Sequence, residues 1–121
     1  MSDSIKEMQK QITEFRDSRD WSQFHTPKDL AISISLEAAE LLELFQWTGS
    51  ETEVPDKLDE LKEELADIFN YCFLMADRLD LDVEHIILDK IGKNNDKYPV
   101  DLSKGNKAKY TELKEKGRSK K

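Results

Sequence analysis

A chain of 121 residues has the length of one domain. Its formal charge of −7 argues against a nucleic-acid polymer as partner, since such a polymer rewards positive charge. The imbalance is local: residues 103–121 carry eight basic and two acidic side chains, leaving about −13 on residues 1–102. Cys72 is the only cysteine, which excludes an intrachain disulfide, and its place on an apolar stripe reads as core. There is no secretory core segment and no apolar run long enough to span a bilayer, so a cytoplasmic, soluble protein is expected.

Ile5, Met8, Ile12 and Phe15 recur at spacings of three and four, which predicts a first helix over 4–17, capped by Ser4 or Ser2. Residues 19–25 break the pattern with Trp21, Phe24 and His25. The plain expectation is that the two aromatics cover one end of the core while His25 faces solvent. Thr26 then reads as an N-cap, with Pro27 at the first helical position and Asp29 at the third. The second helix is expected to run to about Trp47, ahead of Gly49. Leu30, Ile34, Leu41 and Phe45 share a face, and Ile32, Leu36 and Leu44 spread apolar character around the cylinder. That predicts burial by several neighbours.

Residues 48–55 connect to a third helix, with Pro55 suited to its first turn. Leu58, Leu61, Leu65, Ile68, Cys72, Met75 and Leu79 form an unbroken coiled-coil-like seam, expected to be core. Glu64, Asp67 and Tyr71 line a neighbouring row. A fourth helix is expected over about 83–95 behind an Asp82 cap, with Lys90, Asn94 and Lys97 in one row suited to anionic phosphates. Tyr98-Pro99 ends it. The expectation is an all-α bundle of four to five helices in one domain, residues 1–102. A basic, partly disordered tail over 103–121 would follow.

The chemistry concentrates in two carboxylate pairs. Glu37 and Glu40, and Glu64 and Asp67, are each spaced i,i+3 in helical sequence, which puts each pair on one helix face. If the short connection makes the two helices antiparallel neighbours, four carboxylates converge. Without a partner such a cluster repels itself. A hard divalent cation, Mg²⁺ first and Mn²⁺ second, relieves the repulsion. The sequence therefore points to a metal-dependent enzyme acting on a phosphate substrate. A di-iron bundle needs Glu-x-x-His pairs on two helices, and the chain has none. A non-enzymatic helical dimerisation module, with the acidic residues merely solvated, is the alternative from another functional class.

Taken together, the motifs resemble a known family. Glu37-x-x-Glu40 followed after 23 residues by Glu64-x-x-Asp67 is similar to the E-x-x-E and E-x-x-D pattern of the MazG-like all-α nucleotide pyrophosphohydrolases. Further segments look like the dCTP pyrophosphatase branch. These are Arg19-Asp20-Trp21-x-Gln23-Phe24-His25-x-Pro27, Glu40-Leu41-x-Glu43-Leu44-Phe45-Gln46-Trp47, Glu63-Glu64-Leu65-x-Asp67, Lys90 with Asn94, Tyr98 and Pro99, and Lys109-Tyr110-Thr111-Glu112-Leu113. The resemblance implies Mg²⁺-dependent cleavage of a nucleoside triphosphate to monophosphate and pyrophosphate. It implies Glu37, Glu40, Glu64 and Asp67 as metal ligands. Trp21, His25, Trp47 and Tyr71 would shape the nucleotide pocket, and Lys90, Asn94 and Tyr98 would hold the phosphates. Glu40 or Glu43 would handle the attacking water beside Glu64. A tight homodimer, commonly doubled to a tetramer, is also implied. The chain departs from the pattern at Leu36, where many relatives have an acid, at Ile12, where some have histidine, and at Lys93, Asn95 and Asp96. The base preference stays open.

Overall fold

The computed structural model describes residues 3–105. The tail segment 109–113 and its neighbours lie outside the described residues. Five helices and no strand are present among them: α1 (Asp3–Asp17), α2 (Pro27–Glu43), α3 (Leu58–Arg78), α4 (Val83–Lys97) and α5 (Val100–Ser103). Short 3₁₀ turns occupy Ser22–Phe24 and Pro55–Lys57. The chain divides into two compact units, Met1–Val83 and Glu84–Lys121, and each is described by itself.

Within the first unit α3 is central, packed by both α2 and α1. Lys57, just before α3, points its Nζ at the Leu44 carbonyl just after α2, 3.4 Å away. Glu40 and Glu64 meet farther along the same two helices, so α2 and α3 run antiparallel. The helix starts follow local chemistry. The Thr26 hydroxyl accepts the Asp29 N–H at 3.1 Å and donates to Asp29 Oδ2 at 2.9 Å. In this cap the two side chains thus also bond each other. The helix ends share a device. Asp20 (φ 55°) and Asp80 (φ 54°) take left-handed conformations after α1 and α3. The next N–H returns to the carbonyl five residues back, Trp21 to Arg16 at 3.2 Å and Leu81 to Ala76 at 2.8 Å. This is a Schellman-type termination with aspartate where glycine is usual, and an apolar residue follows each.

Two boundaries differ from expectation. α2 stops at Glu43 rather than near Trp47, because Leu44, Phe45 and Gln46 donate to carbonyls three residues back. This tightens the chain until Trp47 (φ 74°) and Gly49 (φ 62°) turn it away. Pro55 opens a 3₁₀ turn instead of α3 itself, with Lys57 N–H bonded to the Val54 carbonyl at 2.9 Å.

The apolar seam of α3 is not the core of a single chain. Leu61, Ile68 and Met75 are half-buried, while Leu58, Leu65, Cys72 and Leu79 are exposed. The deeply buried residues of α3 are Leu74 and Ala76, and they join Leu30 and Val54 as the buried hydrophobic residues of the described chain. Leu74 lines the cavity together with α1 residues, and Ala76, two residues on, is buried on the opposite side of the helix. α1 and α2, which pack on α3, leave much of the seam open. Nor is α2 surrounded, since Ile32, Leu36 and Leu42 are exposed.

In the second unit α4 runs two residues beyond the expected end, and Pro99 starts the short α5. Ile86, Ile87, Leu88 and Ile91 of α4 are exposed. No described helix is long and apolar enough to cross a membrane.

Candidate active site

The antiparallel register of α2 and α3 brings Glu37, Glu40 and Glu64 together, each offering an oxygen within 4.8 Å of the others. Glu37 and Glu64 are half-buried and Glu40 is exposed. One oxygen of each half-buried member, Glu37 Oε2 and Glu64 Oε2, is buried without a hydrogen-bond partner among the described residues. Buried carboxylate oxygens left this way cost free energy unless a cation or proton satisfies them. The Glu37 carboxyl is pushed up to about 7, first by desolvation, then by the adjoining Glu40 and Glu64 and by the charge of Asp67. Glu64 is raised as well, chiefly by Glu40. Asp67 stands outside the group of three but close enough for its charge to act on both. Oxygen-only donors, excess negative charge and orphaned buried oxygens fit a hard divalent cation.

Asp67 also opens onto a cavity of about 370 Å³ between α1, the 19–25 loop and α3. Its apolar wall includes Met8, Ile12, Phe15, Trp21, Tyr71 and Leu74, and its polar groups are Gln11, Arg16, His25, Asp67 and Asn70. The loop is held from α1. Arg19 lies 3.7 Å above the Phe15 ring, and Phe15 meets Trp21 edge-to-face at 5.8 Å. Arg16, 9% exposed, bonds Asp17 Oδ1 through Nε and Asp77 Oδ2 through Nη1, both at 2.8 Å. It thereby ties the end of α1 to α3. His25 is half-buried on the cavity rather than free in solvent. Burial and the nearby Arg16 lower its pKa and favour the neutral ring, and Nδ1 is buried without a hydrogen-bond partner among the described residues.

Of the pocket residues read from sequence, Trp21, His25 and Tyr71 therefore share one cavity. Trp47 does not line it; at 93% exposure it stands out into solvent. Glu43 is exposed on the last turn of α2 and is not in the carboxylate group. Lys90, Asn94 and Tyr98 lie at spacings of four along α4 and its end in the second unit, all exposed, with the Tyr98 N–H bonded to the Asn94 carbonyl at 2.8 Å. Sequence reading passed over Gln11, Arg16 and Asn70. The available signal was positional: Asn70 follows Asp67 by one turn and Arg16 follows Ile12 by one turn.

Comparison with known proteins agrees with this geometry. A match to the MazG-like family spans residues 32–113. Proteins named dCTP pyrophosphatase 1 from Rattus norvegicus and Homo sapiens are 36% and 35% identical over 115 residues, covering 91% of this chain and 68% of theirs. The crystal structure of a pyrophosphatase from Archaeoglobus fulgidus matches with a TM-score of 0.68 and 38% identity, covering 82% of this chain and 95% of that one. With its helices, paired carboxylates and colinear motifs, the chain belongs to the MazG-like family.

Proposed function

We propose that this chain is a cytoplasmic nucleotide pyrophosphohydrolase that cleaves a deoxynucleoside triphosphate, dCTP or a related pyrimidine nucleotide, to the monophosphate and pyrophosphate. The carrying observation is the convergence of Glu37, Glu40 and Glu64 beside a cavity that Asp67 enters. The relatives named dCTP pyrophosphatase 1 support the reaction and the base. Glu37, Glu40, Glu64 and Asp67 would hold Mg²⁺, with Mn²⁺ as the second candidate. When bound, the ion neutralises the triphosphate, lowers the pKa of water and stabilises the leaving pyrophosphate.

The protein's own contribution is positional. Glu40, the solvent-facing member of the cluster, orients the attacking water and accepts its proton, with Glu43 one turn on as the second candidate. Trp21 and Tyr71 offer aromatic faces to base or sugar, and His25 offers a neutral ring nitrogen. Lys90, Asn94 and Tyr98 are given the phosphate chain on the family resemblance alone.

The exposed seam of α3 supports assembly as a homodimer or homotetramer. Leu58, Leu65 and Leu79 keep 50%, 39% and 46% of their surface exposed, so covering each contributes roughly half of a full burial, about 0.7–1.5 kcal/mol, which one chain forgoes. Trp47, displayed on a left-handed turn, would complete the pocket of a second copy. Pyrophosphate release from a panel of dNTPs and NTPs, with Mg²⁺ and with EDTA, tests the reading. Mg²⁺-dependent release favouring dCTP is expected. Release from no nucleotide by folded protein would leave a helical interaction module.

A further inference from the structure

The cavity contains more polar chemistry than metal and phosphate binding require. Of its five polar lining residues, Arg16 is engaged by Asp17 and Asp77, and Asp67 acts electrostatically with the carboxylate cluster. His25 is a half-buried ring whose surroundings favour the neutral form. Two carboxamides are left over, Gln11 on α1 and Asn70 on α3, each contributed by a different helix to the same wall. The Gln11 amide lies 3.5 Å from Glu7 Oε1, the outer limit of a hydrogen bond, so little holds it there.

Their position along the cavity gives them a role. Asp67 marks the end where phosphates meet the carboxylates. Counting helix rise from Asp67, Asn70 stands about 4.5 Å further along α3, Tyr71 about 6 Å and Leu74 about 10.5 Å. A nucleotide anchored by its phosphates would extend past Asn70 and Tyr71 toward Leu74. Trp21, Phe15 and Tyr71 offer faces to a flat ring. Such faces accept any base, because every base has a π-face. What distinguishes bases is the hydrogen-bonding edge. A carboxamide carries one acceptor oxygen and two N–H donors, the combination that pairs with a base edge presenting both kinds of group.

We propose that Gln11 and Asn70 are the specificity-determining pair of this site, reading the hydrogen-bonding edge of the base while the aromatic residues hold its faces. The proposal rests on the nucleotide reading above and deepens it. Discrimination then comes from hydrogen bonds rather than from cavity shape. A base analogue of the right shape without donors or acceptors should be rejected, because it leaves the carboxamides unpaired.

The test is steady-state turnover by the full chain with Mg²⁺ on the four dNTPs and on difluorotoluene deoxynucleoside triphosphate, a thymine-shaped substrate lacking that edge. The parent should favour dTTP, whose shape the isostere copies, over the isostere by roughly tenfold or more in kcat/KM. In Asn70→Leu and in Gln11→Leu that ratio should fall by about tenfold, mainly through KM for the hydrogen-bonding substrate. Both positions are exposed and lie on different helices, so each variant tests the idea independently, with helicity checked by circular dichroism. A uniform loss on every substrate would show a structural role and overturn the proposal. So would an unchanged ratio, or a parent that does not distinguish the isostere. A parent that hydrolyses no nucleotide at all would instead defeat the functional reading, and this proposal with it.

Discussion

Asp77→Asn probes the tie that closes the cavity. The Arg16 side chain is 11% exposed and Asp77 39% exposed, and their N–O distance is 2.8 Å. A hydrogen bond between charged groups is worth about 1.5–3 kcal/mol when well shielded, and partial exposure of Asp77 roughly halves that. The substitution should therefore cost about 0.8–1.5 kcal/mol, because Arg16 keeps Asp17 while its acceptor on α3 loses its charge. For a cooperative unit of this size that is a fall of about 3–10 °C in Tm. Thermal unfolding followed by circular dichroism at fixed protein concentration reads it directly. Asp17→Asn is the control: Asp17 is 57% exposed and adjacent in sequence, so solvent screening leaves its loss little effect on Tm. Replacing both ends, Arg16→Met with Asp77→Leu, should recover much of the loss, since an apolar pair leaves no charge stranded. Because the Arg16 carbonyl also accepts the Trp21 N–H, KM should rise in Asp77→Asn. An Asp77→Asn protein that melts within about 2 °C of the parent, or an Asp17→Asn protein that melts as low, would refute the tie.

Neutralising a carboxylate ligand, as in Glu64→Gln or Asp67→Asn, should abolish turnover while helicity stays intact; full activity in either variant would defeat the metal assignment. The metal-free protein should lose stability as pH rises from about 4.5 to about 7. Folded Glu37 still holds a proton there that the unfolded chain has released. The penalty is absent below that window and complete above it. Over the same window Mg²⁺ should bind more tightly with rising pH and release about half a proton from Glu37 at pH 7. Calorimetry in buffers of different ionisation enthalpy would detect this, and proton-free binding at pH 6–7 would contradict it. Leu65→Asp on the exposed seam should lower the oligomeric state seen by light scattering; an unchanged mass would remove the seam from the assembly surface.

Much of this protein is written locally. The periodicity of α1 and α3, the Thr26-Pro27 start of α2 and the Tyr98-Pro99 stop of α4 depend on neighbours within one or two turns, so residue order alone fixes them. The paired carboxylates were legible for the same reason, since i,i+3 spacing on a helix dictates a shared face. The end of α2 was not, because left-handed Trp47 and the preceding 3₁₀ bonds beat the apolar pattern that runs on to that residue. Left-handed Asp20 and Asp80 were equally silent, since aspartate rarely announces that role.

Tertiary structure decided the rest. Periodicity marks Leu58 to Leu79 as one apolar face but cannot say whether the chain itself covers it. The packing of α1 and α2 on α3 leaves Leu74 and Ala76 as its buried residues and Cys72 exposed. Sequence likewise lists Glu37, Glu40 and Glu64 without their distances. The antiparallel register of α2 and α3 sets those distances and raises the Glu37 carboxyl. Gln11, Arg16 and Asn70 acquire meaning only once α1 lies against α3, because a cavity belongs to no single helix.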